Sequence, residues 1–193
     1  YSPSRLINKE LENKILEKII KPTLNGLSKK NTPYKGFLYA GLMIVDNEPY
    51  LIEYNVRMGD PECQTILPML STDLIDVIQA VINGTLSKTN IEWHKTKSLC
   101  VVLCSNGYPD KYKKYIELKN LDKVSLDKNN YLFHAGTKKI DEKVFATGGR
   151  VLNFISMSNS FYEARNNIHQ NLLKLNWNHG FYRKDIAYKV IDK

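Results

Sequence analysis

The sequence is short of cysteine, of acidic charge and of long apolar runs. Its three cysteines, Cys63, Cys100 and Cys104, are an odd number in no zinc-ligand spacing, which argues against a disulfide framework and a structural zinc site. Cys100 and Cys104 lie in "SLCVVLC", where strand alternation puts both on one face; they are expected to be buried small hydrophobes in a reducing compartment. No stretch approaches the roughly 18 apolar residues of a spanning helix, and no signal-peptide pattern opens the chain. Carboxylates are outnumbered, 20 against 28 Lys and Arg, for a net charge of +8. Such an excess admits nucleic-acid binding, but the lysines are scattered from Lys9 to Lys193 without a basic block or an aromatic–basic ladder. The same charge also suits a small phosphorylated, anionic substrate, and on charge alone a solvated surface is the favoured reading.

What is present is an α+β pattern over 193 residues, enough for one large or two small domains. Apolar Leu11, Ile15, Ile19 and Ile20 predict a helix from about Lys9 to Gly26, bent at Pro22. "GFLYAGLMIV" and "YLIEYNVR", joined by "DNEP", predict an antiparallel hairpin. Asp60 is placed as an N-cap and Pro61 as the first residue of the helix "PECQTILPML", interrupted near Pro68. A second helix, "TDLIDVIQAVIN", carries Leu74, Ile75, Ile78 and Ile82 and stops at Gly84. Beyond it come the strand-like runs "SLCVVLCS", "KYIEL", "YLFHAG", "KVFATG" and "RVLNFIS". A helix with a capping box from Ser160 to Glu163 and apolar Phe161, Ala164, Ile168, Leu172 and Leu175 follows. The closing "NHGFYRKDIAYKVI" is expected to pack back as a strand or short helix. The change of texture puts a domain boundary near residue 96.

The chemistry is concentrated in "YLIEYNVRMGDPE". Glu53, Asn55 and Arg57 fall on alternate positions of a strand, so a carboxylate and an amide oxygen point to one side, with Cα atoms roughly 6.5 Å apart. Such hard oxygens, completed by phosphate and water, suit Mg²⁺ bound to a nucleotide. Arg57 could clamp a carboxylate. Taken alone, the pattern reads first as the wet face of a hairpin, since Glu-x-Asn-x-Arg is common by chance. The Gly59–Glu62 turn offers backbone N–H groups to an anion, and is also plain helix-start chemistry. Farther on, Gly148-Gly149 would let amides approach a phosphate, with Lys138 and Arg150 supplying charge; the alternative is a pair of hairpin turns with surface bases. His134 reads as a strand-end residue, and Trp93 and Trp177 as packing.

"PYKGFLYAGLMI", "EYNVRMGDPECQTILPML", "SNGYPDKY", "FHAGTKK", "ATGGRVLNFIS" and "GFYRKDIA" occur in that order. Together they resemble the C-terminal half of the phosphoribosylamine–glycine ligase family of the ATP-grasp superfamily, over nearly the whole chain. The resemblance implies the C-terminal part of an ATP-grasp core over residues 1–96 and a small mixed β/α domain over residues 97–193. It implies a carbon–nitrogen ligase of purine biosynthesis. ATP would phosphorylate glycine, and 5-phosphoribosylamine would attack the glycyl phosphate to give glycinamide ribonucleotide. By matching position, Glu53 and Asn55 are Mg²⁺ or Mn²⁺ ligands that bridge to the nucleotide. Arg57 is expected on the glycine carboxylate and Asp60 on an amine. Lys138, Gly149 and Arg150 are expected at the 5′-phosphate.

Met58 stands where an aromatic residue is common, and "KDIA" replaces a more usual ending in glycine. Partners are expected to be small molecules, without nucleic acid or membrane, in a cytoplasmic, monomeric enzyme. Because the chain opens on Tyr1 with helical sequence almost at once, it is read as a fragment; the resemblance implies that the family's amino-terminal domain and ATP lid precede Tyr1, so little ligase activity is expected of this chain alone. The alternatives are a basic nucleic-acid-binding module, which needs a continuous basic face, and an inert remnant, which need not keep Glu53, Asn55 and Arg57.

Overall fold

The computed structural model describes residues 1–191, which form two compact units. One holds Ser4–Asp60 and Leu70–Trp93; the other holds Tyr1–Pro3, Pro61–Met69 and the residues from His94 onward. The grouping therefore differs from a single linear cut near residue 96. The reason is pairing: Ser2 exchanges both backbone hydrogen bonds with Ser98, each at 2.9 Å, and the His94 N–H donates to the Met69 carbonyl at 2.8 Å.

In the first unit, Asn8 caps α1 (Lys9–Ile15) by accepting the Leu11 N–H at 2.8 Å. A π-helical segment, Leu16–Ile20, joins α1 to α2 (Lys21–Lys29). The expected bend at Pro22 is replaced by this widened turn just before it. Proline has no N–H to give the preceding turn and its ring crowds the carbonyl four residues back, which the wider turn accommodates. Nor does Gly26 stop the helix, which runs on to Lys29.

Strands β1 (Tyr39–Val45) and β2 (Glu48–Asn55) pair antiparallel around Asp46 and Asn47. Both turn residues have positive φ, 51° and 59°, which matches the twist of a two-residue hairpin. Gly41 pairs with Glu53 but Leu42 pairs with Leu51, so one extra residue bulges from β2. The bulge breaks the simple alternation. Tyr54 faces the helices, its hydroxyl 2.6 Å from Thr23 Oγ1, while Ile52 and Val56 are 64% and 73% exposed. The strand also ends at Asn55, which leaves Arg57 in the bend beyond it.

The hairpin turn is tied to α1 by charge. Lys14 Nζ donates to the Asn47 carbonyl at 3.1 Å and pairs with Glu48 at 2.8 Å, and Lys18 pairs with Glu48 at 2.6 Å. Hydrogen bonds from Lys14 first, then Lys18, lower the Glu48 carboxyl from an ordinary 4.5 to about 2. A depressed acid contributes stability that is complete above pH 4.5 and is lost as pH falls through about 2. Because Lys18 is exposed and Lys14 and Glu48 are half-exposed, salt screens the effect. In acid unfolding, wild type is expected to exceed Glu48→Gln in stability at neutral pH and low salt. The gap should close below pH 2 or in high salt; a gap that is independent of both would sink this assignment.

The same unit contains α4 (Leu74–Asn83), capped by Asp73 and ended by Gly84 at φ 69°. Its apolar stripe is largely exposed, with Ile75 at 63% and Ile82 at 67%.

In the second unit, α3 (Glu62–Ile66) passes into a 3₁₀ turn at Leu67–Met69. A four-stranded antiparallel sheet has the order β5-β8-β3-β9: β5 (Asn130–His134), β8 (Arg150–Ser158), β3 (Lys97–Ser105) and β9 (Gly180–Phe181). Helix α5 (Phe161–Leu175) covers it, with Ser160 Oγ accepting the Glu163 N–H at 3.1 Å as the capping box predicts. Phe161, Ala164, Ile168, Leu172 and Leu175 are all buried, in one core with Leu99, Val101, Leu103 and Phe154. Cys100 and Cys104 are buried as expected, and with Val102 they line an apolar cleft. A second sheet, β4 (Ile116–Glu117), β7 (Lys143–Ala146) and β6 (Thr137–Ile140), includes a strand in "TKKI", which is not among the strand-like runs of the sequence. Its short polar run gains ladder partners only through β7.

Candidate functional site

Two residues apart on β2, Glu53 and Asn55 project to the same side. The Asn55 amide nitrogen donates to Glu53 Oε1 at 3.1 Å, and the carboxylate is exposed. Across the hairpin stands Gly41. A Cβ there would lie 3.2 Å from Glu53 Cγ, so the glycine leaves room for the acidic side chain to lie over the neighbouring strand. Sequence reading passes Gly41 over, although a glycine inside a β run is the usual mark of a bulge or a close approach.

Arg57 is exposed, and its Nη1 donates to the Met58 carbonyl at 2.8 Å, which folds the guanidinium back on its own chain. Asp60, also exposed, has an interaction of its own and stands one residue before the N-cap position. The expected cap is corrected by one residue: Pro61 occupies the N-cap position with φ −99° and ψ 19°, and the helix starts at Glu62. In the first turn the Thr65 hydroxyl donates to the Pro61 carbonyl at 3.0 Å, beside the Thr65 N–H at 3.2 Å.

In the other unit, Lys138 stands exposed on β6, Gly149 is buried and Arg150 opens β8 half-buried. The Gly148-Gly149 pair is used for close packing. Gly148 donates its N–H to the Gly136 carbonyl at 3.0 Å, and a Cβ on Gly136 would come within 2.5 Å of Gly148 Cα. A Cβ on Gly149 would collide with the Tyr108 ring and approach Tyr112 at 3.1 Å. The two carbonyls accept from Ser105, Gly149 from its N–H at 2.8 Å and Gly148 from its hydroxyl at 2.9 Å. Burial pushes the Cys104 thiol up, and Arg150 partly opposes that shift. His134 closes its strand with Nδ1 2.9 Å from Thr137 Oγ1, a structural role.

Among the described residues, no three His, Cys, Asp or Glu side chains gather as a metal cage. Glu53 and Asn55 offer instead a two-residue oxygen platform once the amide is turned to present Oδ1. That donor set suits a hard cation whose remaining ligands are phosphate and water.

Two sequence families match the chain. Phosphoribosylglycinamide synthetase, ATP-grasp (A) domain, covers residues 1–63, and phosphoribosylglycinamide synthetase, C domain, covers residues 98–189. A phosphoribosylamine–glycine ligase of Caldanaerobacter subterraneus subsp. tengcongensis is 41% identical over 96% of this chain and 44% of the relative. The trifunctional purine biosynthetic protein adenosine-3 of Gallus gallus is 42% identical over 99% of this chain and 19% of the relative. The crystal structure of phosphoribosylamine–glycine ligase from Thermotoga maritima superimposes with a TM-score of 0.75 at 33% identity, covering 94% of this chain and 44% of that one. The chain thus spans less than half the length of these relatives.

Proposed function

We propose that this chain, which belongs to the phosphoribosylglycinamide synthetase family, carries the metal-binding and acyl-positioning part of a ligase joining glycine to 5-phosphoribosylamine. The observation that supports this reading best is the Glu53–Asn55 contact on the open face of β2. In this reading Glu53 and Asn55 would hold Mg²⁺ or Mn²⁺ when ATP is bound, and the ion would supply charge neutralisation for the attack of the glycine carboxylate on the γ-phosphorus. Asn55 must rotate its amide, exchanging the N–H bond to Glu53 for an oxygen turned toward the same point. Arg57 releases the Met58 carbonyl and pairs with the carboxylate of glycine, a better acceptor for a guanidinium because it is charged and bidentate. Asp60 holds the ammonium of glycine or the incoming amine. That amine attacks glycyl phosphate, and phosphate leaves to give glycinamide ribonucleotide. Lys138, Gly149 and Arg150 enter as contacts to the 5′-phosphate through the family resemblance, with residues 1–96 as the ATP-grasp part and residues 97–193 as the C-terminal domain.

No helix among the described residues is long and apolar enough to cross a membrane. A cytoplasmic setting goes with this function and with three free cysteines, although a 40% identical relative in Arabidopsis thaliana is named as chloroplastic.

The test is a chimera in which this chain replaces the aligned stretch of the Caldanaerobacter ligase. ADP release dependent on both glycine and phosphoribosylamine is the expected result. A matched chimera carrying the Thermotoga stretch serves as control. If that control turns over while the folded test chimera does not, the reading fails.

A further inference from the structure

We propose that Gly41 is a positioning residue: by carrying no side chain, it lets Glu53 lie across β1 and meet Asn55, and so sets the grip of that pair on a divalent ion. What the pair binds rests on the ligase reading; how the pair is held rests on strand geometry alone.

The register explains why the acid needs such a neighbour. Paired residues of an antiparallel ladder share a face. Pro49, Leu51 and Tyr54 pair with Ile44, Leu42 and Ala40, on the side where the Tyr54 hydroxyl meets Thr23. Strict alternation from Leu51 would send Glu53 to that side as well. Ile52, the extra residue that the register leaves out, reverses the count. Glu53 therefore comes out on the opposite face, directly across from Gly41, where it accepts the Asn55 amide at 3.1 Å.

Nothing in the backbone calls for glycine at this place. Gly41 lies inside β1 without a positive φ, and glycine within a strand is destabilising relative to alanine. At several other glycines a Cβ would strike rigid atoms: the Lys111 carbonyl at Gly107, Gly148 Cα at Gly136, the Cys104 carbonyl at Gly180. At Gly41 the crowded atom is Glu53 Cγ, at 3.2 Å, whereas the Glu53 carbonyl oxygen and nitrogen would stand at 3.6 and 3.9 Å, ordinary contact distances. A flexible side chain therefore gives way, not the sheet. An alanine would push the carboxylate off β1 and away from Asn55 while leaving the hairpin intact. Lost aim without lost folding is what separates positioning from support.

The test has two readouts. In the metal-free chain, the Asn55 side-chain amide resonance is followed by NMR. Gly41→Ala should move it to where Glu53→Ala leaves it, with a melting temperature equal to or above that of wild type. Gly26→Ala, at a glycine whose Cβ would meet nothing within 4 Å, should leave the resonance in place. In the chimera with a non-hydrolysable ATP analogue, Mn²⁺ binding is measured from the electron paramagnetic resonance of the free ion. Gly41→Ala should weaken it about tenfold, the scale of one charge-assisted contact. The loss should be under about twofold when Glu53 is already alanine, because the effect acts through that side chain. With ATP, kcat at saturating Mn²⁺ should stay within about threefold, since both ligands remain. The proposal is overturned if the Asn55 resonance of Gly41→Ala keeps its wild-type position, or if the Mn²⁺ loss is as large in the Glu53→Ala background. A shifted resonance with Mn²⁺ affinity indifferent to Glu53→Ala would keep Gly41 in its role and overturn the metal site of the ligase reading instead.

Discussion

Glu53→Ala in the active chimera is expected to lower kcat about 10³-fold while leaving its folding intact. The size follows from the role. Removing a metal ligand forfeits several kcal/mol of charge stabilisation in phosphoryl transfer, and each 1.36 kcal/mol is about tenfold in rate. Folding is spared because the Glu53 carboxylate is exposed, and surface substitutions of that kind change stability by about 0.5 kcal/mol at most. Asn55→Asp keeps an oxygen donor at the same place and should retain far more activity than Asn55→Ala. Raising Mn²⁺ should recover part of the loss in Asn55→Ala, since weaker binding is offset by mass action. Steady-state kinetics against metal concentration decides the matter. A Glu53→Ala chimera within a few-fold of the parent would mean that the pair is only the wet side of a hairpin.

Phe154→Ala should be the most damaging single core change, costing about 3–5 kcal/mol. Phe154 lies on β8 opposite Val101 of β3, 1% exposed, in the same core as Phe161, Ile168 and Leu172 of α5. Truncation there removes an aromatic ring from between a sheet and a helix whose backbones are already fixed by the β3–β8 ladder and by the Ser160 cap. The site therefore has little freedom to collapse into the void. Amide hydrogen exchange of β3 and β8 reads the effect locally, and the expected outcome is faster exchange across both strands. Phe154→Leu, which refills most of the space, should cost well under half as much. Exchange rates in Phe154→Ala close to wild type would show that the ring is not the anchor described.

Some of this was legible before any coordinates. The apolar spacing of Phe161, Ala164, Ile168, Leu172 and Leu175, and the serine before them, fix α5 and its buried face, because a 3.6-residue period and a local cap are properties of neighbouring residues. The same holds for the hairpin at Asp46-Asn47 and for Glu53 and Asn55 facing one way. Arg57 shows where that logic stops: β2 ends at Asn55, so counting by twos no longer applies to it.

The bulge beside Gly41, the strand in "TKKI" and the ring packing over Gly149 were not readable in the same manner. Each depends on what another segment brings: β1 against β2, β7 against β6, the Tyr108 loop against Gly149. The chain by itself determined its local periods, its caps and the side chains available for chemistry. Only the tertiary structure decided which of those side chains share a face or a cleft, because backbone pairing and steric exclusion between segments remote in sequence leave no periodic trace in either one alone.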